Sequence, residues 1–144
     1  LLVLSSCIAG LRCRYDGSSC VNKNLLKGID SWYIHVCPEL LAGFGIPRKP
    51  CEISGGSGGD VLAGRAKIID KDGLDITSLM LAGAEKALRI CLENGVTEAF
   101  LRAKSPSCGY GRIYDGSFSS TLRPGSGIFA ALLLENGIGV TEVL

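Results

Sequence analysis

Two stretches of the chain, CLENGVTEAFL and LLLENGIGVTEVL, share one grammar: a helical run, a Glu-Asn-Gly stop, then a short β-rich run. Glycine ends a helix well because it takes the left-handed backbone that closes the last turn. A helix followed at once by a strand is half of a crossover unit, and crossovers of this length join parallel strands. The repeat does not extend further, so it marks two successive αβ steps and not a solenoid.

Four short runs suit a sheet covered on both faces: LLVLS (1–5), WYIHV (32–36), TEAFLRA (97–103) and IGVTEVL (138–144). The first clear helix is expected to start at Thr77 as N-cap and to stop at Gly95, with Leu81, Ala84, Leu88 and Cys91 on its buried face. The second is GIFAALLLEN (127–136). Residues 47–64 read as loop-rich, and 65–77 as a hairpin turning at Asp72-Gly73. No linker divides the chain. The expected fold is α/β, a single Rossmann-like domain over residues 1–144, with a mainly parallel sheet and helices packed on it. Ligands of such sheets bind at the carboxyl ends of the strands.

The formal charge of +1 gives no field that would recruit nucleic acid or an anionic membrane. No apolar run reaches the roughly 18 residues of a membrane span, and the opening LLVLSSC has no basic n-region of a signal peptide. Seven cysteines are an odd number for a disulfide framework, and a chain this aliphatic needs no staples. A reducing cytoplasm is the expected setting, where clustered thiols mean metal or chemistry.

Three of these cysteines share a position. Cys7, Cys37 and Cys108 each come just after a predicted strand, so in a parallel sheet they converge on one edge. Gly10, Pro38 and the pair Pro106 and Gly109 stand beside them, small or rigid residues that let backbone approach a bulky inorganic centre. Three thiolates without a fourth make an open site. Structural zinc normally takes four ligands, commonly from C-x-x-C pairs, and the chain has no such pair. An iron–sulfur cluster held by three cysteines leaves one iron free for substrate. Cysteine is also among the most buried residue types, so each can equally be a small core residue. Cys91 fits the core best and Cys20 local packing, while Cys13 and Cys51 are open.

With these residues assembled, the chain resembles the family catalogued as domain of unknown function 523, whose characterised member is a 2-thiouracil desulfurase. The likeness is carried by SSCIAGLRCRYDG, VCPELLAGFGIPRKPCEI, AKSPSCGYGRIYDGSFSSTL and PGSGIFAALLLENGI, nearly end to end. It implies a [4Fe–4S] cluster on Cys7, Cys37 and Cys108, with Glu39 and Ser105 beside the open iron. Cys13 departs from the aliphatic residue frequent there, and Cys51 from a small apolar one. The implied reaction is non-redox desulfuration of a thiolated pyrimidine or a related small thio-compound. Glu39 would take a proton from water as it attacks the thiolated carbon, and Ser105 would orient water or ring. The plain alternatives are a helix N-terminal carboxylate for Glu39 and a turn initiator for Ser105.

Arg14, Tyr15 and Tyr114, in RYDG and IYDG, are candidates to meet a pyrimidine-like ring, although Asp-Gly alone already explains a turn. SGGSGGD (54–60) lacks the Lys-Ser/Thr of a phosphate loop, does not clearly open a helix, and reads as a mobile loop near the site. His35, the single histidine, lies within a strand and reads as structural. Two other classes compete: a cluster- or metal-binding module for sulfur carriage or sensing, and a nucleotide-binding α/β domain with unligated thiols.

Overall fold

The apolar run at the N-terminus forms the strand around which the sheet is laid. In the computed structural model, which describes residues 1–144, the chain order is β1 (Leu2–Ser5), α1 (Lys23–Gly28), β2 (Tyr33–Val36), α2 (Pro38–Leu41), β3 (Cys51–Ser54), α3 (Gly58–Leu62) and β4 (Lys67–Asp70). There follow α4 (Thr77–Glu93), β5 (Glu98–Arg102), β6 (Arg112–Tyr114), β7 (Leu122–Pro124), α5 (Ile128–Glu135) and β8 (Gly139–Val143). The central sheet runs β2-β1-β5-β8, and all its pairings are parallel. This is a mixed α/β fold with a mainly parallel central sheet. No helix is long and apolar enough to cross a membrane.

Both Glu-Asn-Gly stops work as expected: Gly95 and Gly137 hold φ of 69° and 75°, the left-handed conformation that ends α4 and α5. Val3, Ala99 and Leu101 from the sheet pack against Met80, Ala84, Ala87 and Cys91 of α4 and against Ile128, Phe129 and Leu133 of α5. The buried stripe of α4 is turned slightly from the expected one, so Leu81 and Leu88 sit at its margin. Thr77 is the first residue inside α4 and does not cap it; its N–H and hydroxyl instead meet Asp75 Oδ1, at 2.9 and 2.6 Å.

The middle of the chain is more ordered than expected. CEIS forms β3, and its partner is β4, in antiparallel register from Cys51↔Asp70 to Ser54↔Lys67. Across the Asp72-Gly73 turn only one bridge forms, Ile69↔Asp75. A four-residue strand between a proline and a glycine run carries too little periodicity to be seen without its partner. SGGSGGD does open a helix: the Asp60 carboxylate accepts from the Ser57 N–H at 2.8 Å and caps α3. Gly58 is needed there because a Cβ would lie 2.4 Å from the Gly127 carbonyl oxygen, where the chain enters α5. None of residues 54–60 lines the cavity described below, and the run ends β3 and opens α3, which corrects its reading as a mobile loop that opens no helix.

One contact ties the core to the sheet edge. Gly83 of α4 lies against α2, and a Cβ on it would stand 2.2 Å from the Pro38 carbonyl oxygen and 2.7 Å from the Ala42 nitrogen. Gly→Ala in a helix interior ordinarily stabilises, by about 1 kcal/mol. Here the sign reverses, because backbone has to move. We expect Gly83→Ala to cost about 2 kcal/mol, lowering the unfolding midpoint by several degrees in a thermal melt. A midpoint equal to or above the parent's would mean that α2 is free to slide.

Candidate functional site

At the carboxyl end of β1 the ladder is extended by two contacts. The Ser6 N–H donates to the Val36 carbonyl at 2.8 Å, and the Arg102 N–H donates to Ser5 Oγ at 2.9 Å. They hold three strand ends together just where the chain must turn away. Between β1 and β5 the strand order reverses, since β2 was laid on one side of β1 and β5 on the other. A cavity of about 520 Å³ opens at this switch point, the expected location in an open α/β sheet.

Cys7 enters from the turn after β1, where the Ile8 N–H donates to the Ser5 carbonyl at 2.9 Å. Cys37 is the N-cap residue of α2, and Pro38 at the first helical position starts the helix with its φ preset. Cys108 sits on a tight turn in which Ser105 Oγ accepts from the Cys108 N–H at 2.8 Å and the Gly109 N–H donates to the Ser105 carbonyl at 2.9 Å. A Cβ on Gly109 would lie 2.6 Å from that carbonyl oxygen, so only glycine closes the turn. The next carbonyls face α5: Pro106 accepts from the Ile128 N–H at 2.8 Å and Ser107 from the Phe129 N–H at 2.9 Å. The cysteine turn thus satisfies amides that the helix start leaves without partners.

All five expected site residues, Cys7, Cys37, Cys108, Glu39 and Ser105, line this one cavity, and so do Arg14, Tyr15 and Tyr114. His35 stays on β2, with Nδ1 2.9 Å from Ser6 Oγ. Cys91 is fully buried in the core, as read from the helix pattern. Cys20 packs behind Cys7 and does not line the cavity.

Cys13 and Cys51, left open by the sequence, both line it. Cys13 is buried and packs in one small cluster with Cys7 and Cys37. Cys13 is raised by its neighbours Cys37 and Cys7, while Cys7 is drawn down to about 6 and Cys37 is lowered, each first by the adjacent Cys13 thiol. Cys108 is pushed up to about 12 by burial, against which the hydroxyls of Ser5 and Ser107 act. The signal for Cys13 was its place in RCRYDG, directly before two residues of the cavity mouth.

Arg48, which no sequence pattern marks, organises the opposite wall. Its Nε donates to Glu39 Oε2 at 2.9 Å, its Nη2 forms a short contact to the same oxygen, and Nη2 also reaches the Cys13 carbonyl at 2.6 Å. Its own N–H donates to the Tyr15 carbonyl at 2.8 Å. A lone arginine between two prolines carries no periodic signal. Glu39 Oε1 is left with one long contact, from Cys51 Sγ at 3.9 Å, so this oxygen can take a proton. Around the cavity stand Arg14, Arg48, Lys49, Lys71, Arg102 and Lys104, against Glu39 and Glu52. A chain of nearly neutral total charge has gathered cations at one place.

The donor set fits a multi-iron cluster better than a single ion. No group of three histidine, cysteine or carboxylate side chains is close enough to hold one metal ion. A cubane binds each cysteine through a different iron and therefore needs thiols spread around one cavity, as Cys7, Cys37 and Cys108 are.

Comparison with known proteins gives concordant matches. The family model described as 2-thiouracil desulfurase matches residues 2–143. The uncharacterised protein YbbK of Bacillus subtilis (strain 168) is 45% identical over 141 residues, covering 97% of this chain and 93% of that protein. The solved structure of a [4Fe-4S]-dependent thiouracil desulfidase, TudS, is 37% identical with a TM-score of 0.83, covering 98% of this chain and 89% of its own.

Removing the guanidinium would strand a carboxylate whose side chain is only 16% exposed. Arg48→Leu is expected to cost about 3 kcal/mol in urea unfolding. Arg48→Lys should recover only part, since an ammonium cannot bridge Glu39 and the Cys13 carbonyl with the same fork. Parent-like unfolding of the leucine variant would show that the pair does not hold this wall.

Proposed function

The chain belongs to the 2-thiouracil desulfurase family, and from that membership we propose that it hydrolytically removes sulfur from a thiolated pyrimidine or a related small thio-compound, using a [4Fe–4S] cluster held by Cys7, Cys37 and Cys108. The observation that carries this reading is the meeting of three strand-end thiols and one carboxylate in a single cavity. The overall change is C=S plus water to C=O plus hydrogen sulfide. A carbon–oxygen bond forms, the carbon–sulfur bond breaks, water's protons end on sulfur, and no electrons are exchanged.

The chemistry a bound cluster would supply is that of a sulfur-seeking Lewis acid, at the iron without a protein ligand. The rest falls to the side chains. Arg48 holds Glu39 through Oε2, and Oε1 accepts a proton from the attacking water. Ser105 already accepts from the Cys108 N–H, so its hydroxyl proton remains to orient the water or the ring. The surrounding cations, Arg102 and Lys104 among them, favour the negative charge that develops on departing sulfur. Tyr15 and Tyr114 at the mouth border the ring. In this reading residues 1–144 act as one Rossmann-like domain in a reducing cytoplasm, where none of the seven cysteines is drawn into a disulfide.

Anaerobic reconstitution should load about four iron and four sulfide per chain. The loaded protein should then release sulfide stoichiometrically from 2-thiouracil, in an iron-dependent manner. Cys7→Ala, Cys37→Ala and Cys108→Ala should each fail to retain the cluster, whereas Cys91→Ala, altered in the core, should load like the parent. Equal iron content in Cys108→Ala and Cys91→Ala would remove the ligand assignment. A loaded protein that frees no sulfide would leave a carrier or sensor role.

A further inference from the structure

Three residues other than glycine hold a positive φ: Lys104 at 73°, Phe118 at 55° and Ser120 at 59°. All three line the cavity. A left-handed backbone is disfavoured for any residue with a Cβ, and for a bulky aromatic it is an outlier that persists only when its surroundings enforce it. Such outliers cluster where a binding site is preorganised.

The enforcement here is visible. Glu52, on β3, is buried at 8% exposure, yet it forms no ion pair with a cation; its Oε1 accepts from the Gly116 N–H at 2.9 Å and the Phe118 N–H at 3.2 Å. Gly116, at φ 93°, brings the loop so close to β3 that a Cβ would stand 2.7 Å from the Ile53 carbonyl oxygen. Asp115 Oδ1 accepts from the Ser117 N–H at 2.9 Å, and Ser119 Oγ lies 2.8 Å from Thr121 Oγ1. A buried carboxylate and a row of turn contacts thus fix residues 115–120. Core packing does not explain this outlay, because Phe118 belongs to neither apolar cluster of the molecule.

We infer that Phe118 is the ring-binding wall of the site: the strained loop presents its aromatic face to the planar thio-heterocycle, and Glu52 is the positioning residue that holds that face. The inference rests on the proposed reaction for the identity of the ring. Stacking against an aromatic face tolerates substituents on the ring, because every base has a π-face. It fixes the plane of the ring and leaves the thiocarbonyl edge free to point at the strand-end thiols.

The test uses the cluster-loaded protein and two probes. Uracil, which has the ring but no sulfur, is titrated by calorimetry, and sulfide release from 2-thiouracil is measured for KM and kcat. Phe118→Leu should weaken uracil binding about ten-fold and raise KM by a similar factor, with kcat within about two-fold. Phe118→Trp should bind like the parent. Phe118→Gly, which suits the left-handed backbone, should melt no lower than the leucine variant and lose as much affinity. Glu52→Ala should copy the leucine variant, and Glu52→Gln, which keeps the acceptor oxygen, should restore binding. Uracil affinity unchanged in the leucine or glycine variant, or no uracil binding by the parent, overturns the inference. Failure of the parent to release sulfide sinks the reaction instead, and the uracil titrations still decide the role of Phe118.

Discussion

The site depends on the closure of the sheet edge at Ser5 and Ser6. Parallel strands end on the same side, but their ends splay with the twist of the sheet unless something ties them. The Ser5 hydroxyl, accepting from the Arg102 N–H, and the Ser6 amide, donating to Val36, tie the ends of β1, β2 and β5 into one rim. Cys7 follows directly, Cys37 comes one residue after Val36, and Cys108 rises from the loop that leaves β5. Their convergence is a property of strand order, fixed before any ligand is considered.

This explains which parts could be read from the chain and which could not. The helix stops, the four strands of the central sheet and the three strand-end cysteines all depend on local patterns, so they were legible. What escaped depends on partners distant in sequence. β3 is recognisable only with β4 beside it, and α3 is signalled by a single capping carboxylate within a glycine run. Arg48 acquires meaning only when the turn after β1 and the start of α2 are folded against it. Cys13 was visible as a residue but not as a neighbour of Cys37, which packs beside it only once β2 lies next to β1.

The cavity walls divide the work. On one side, thiols crowd together, an arrangement with more sulfur than three ligands require. On the other, Arg48 fixes one oxygen of Glu39 and leaves the other available. The cations around the mouth offset the negative charge that deprotonated thiols and departing sulfur would accumulate in a partly buried space. Their local excess, in a chain of net charge +1, means that acids elsewhere balance them.

The amides that begin α5 donate to Pro106 and Ser107, on the same turn that carries Cys108. Phe129, the largest fully buried side chain, stands in the first turn of that helix. Helix start, cysteine turn and core anchor are therefore joined directly by hydrogen bonds and packing. Ligation of Cys108 would then be felt beyond the cavity: it would draw stability into the hydrophobic interior by mass action. The inorganic centre would act as a rivet for the fold as well as a tool for the reaction.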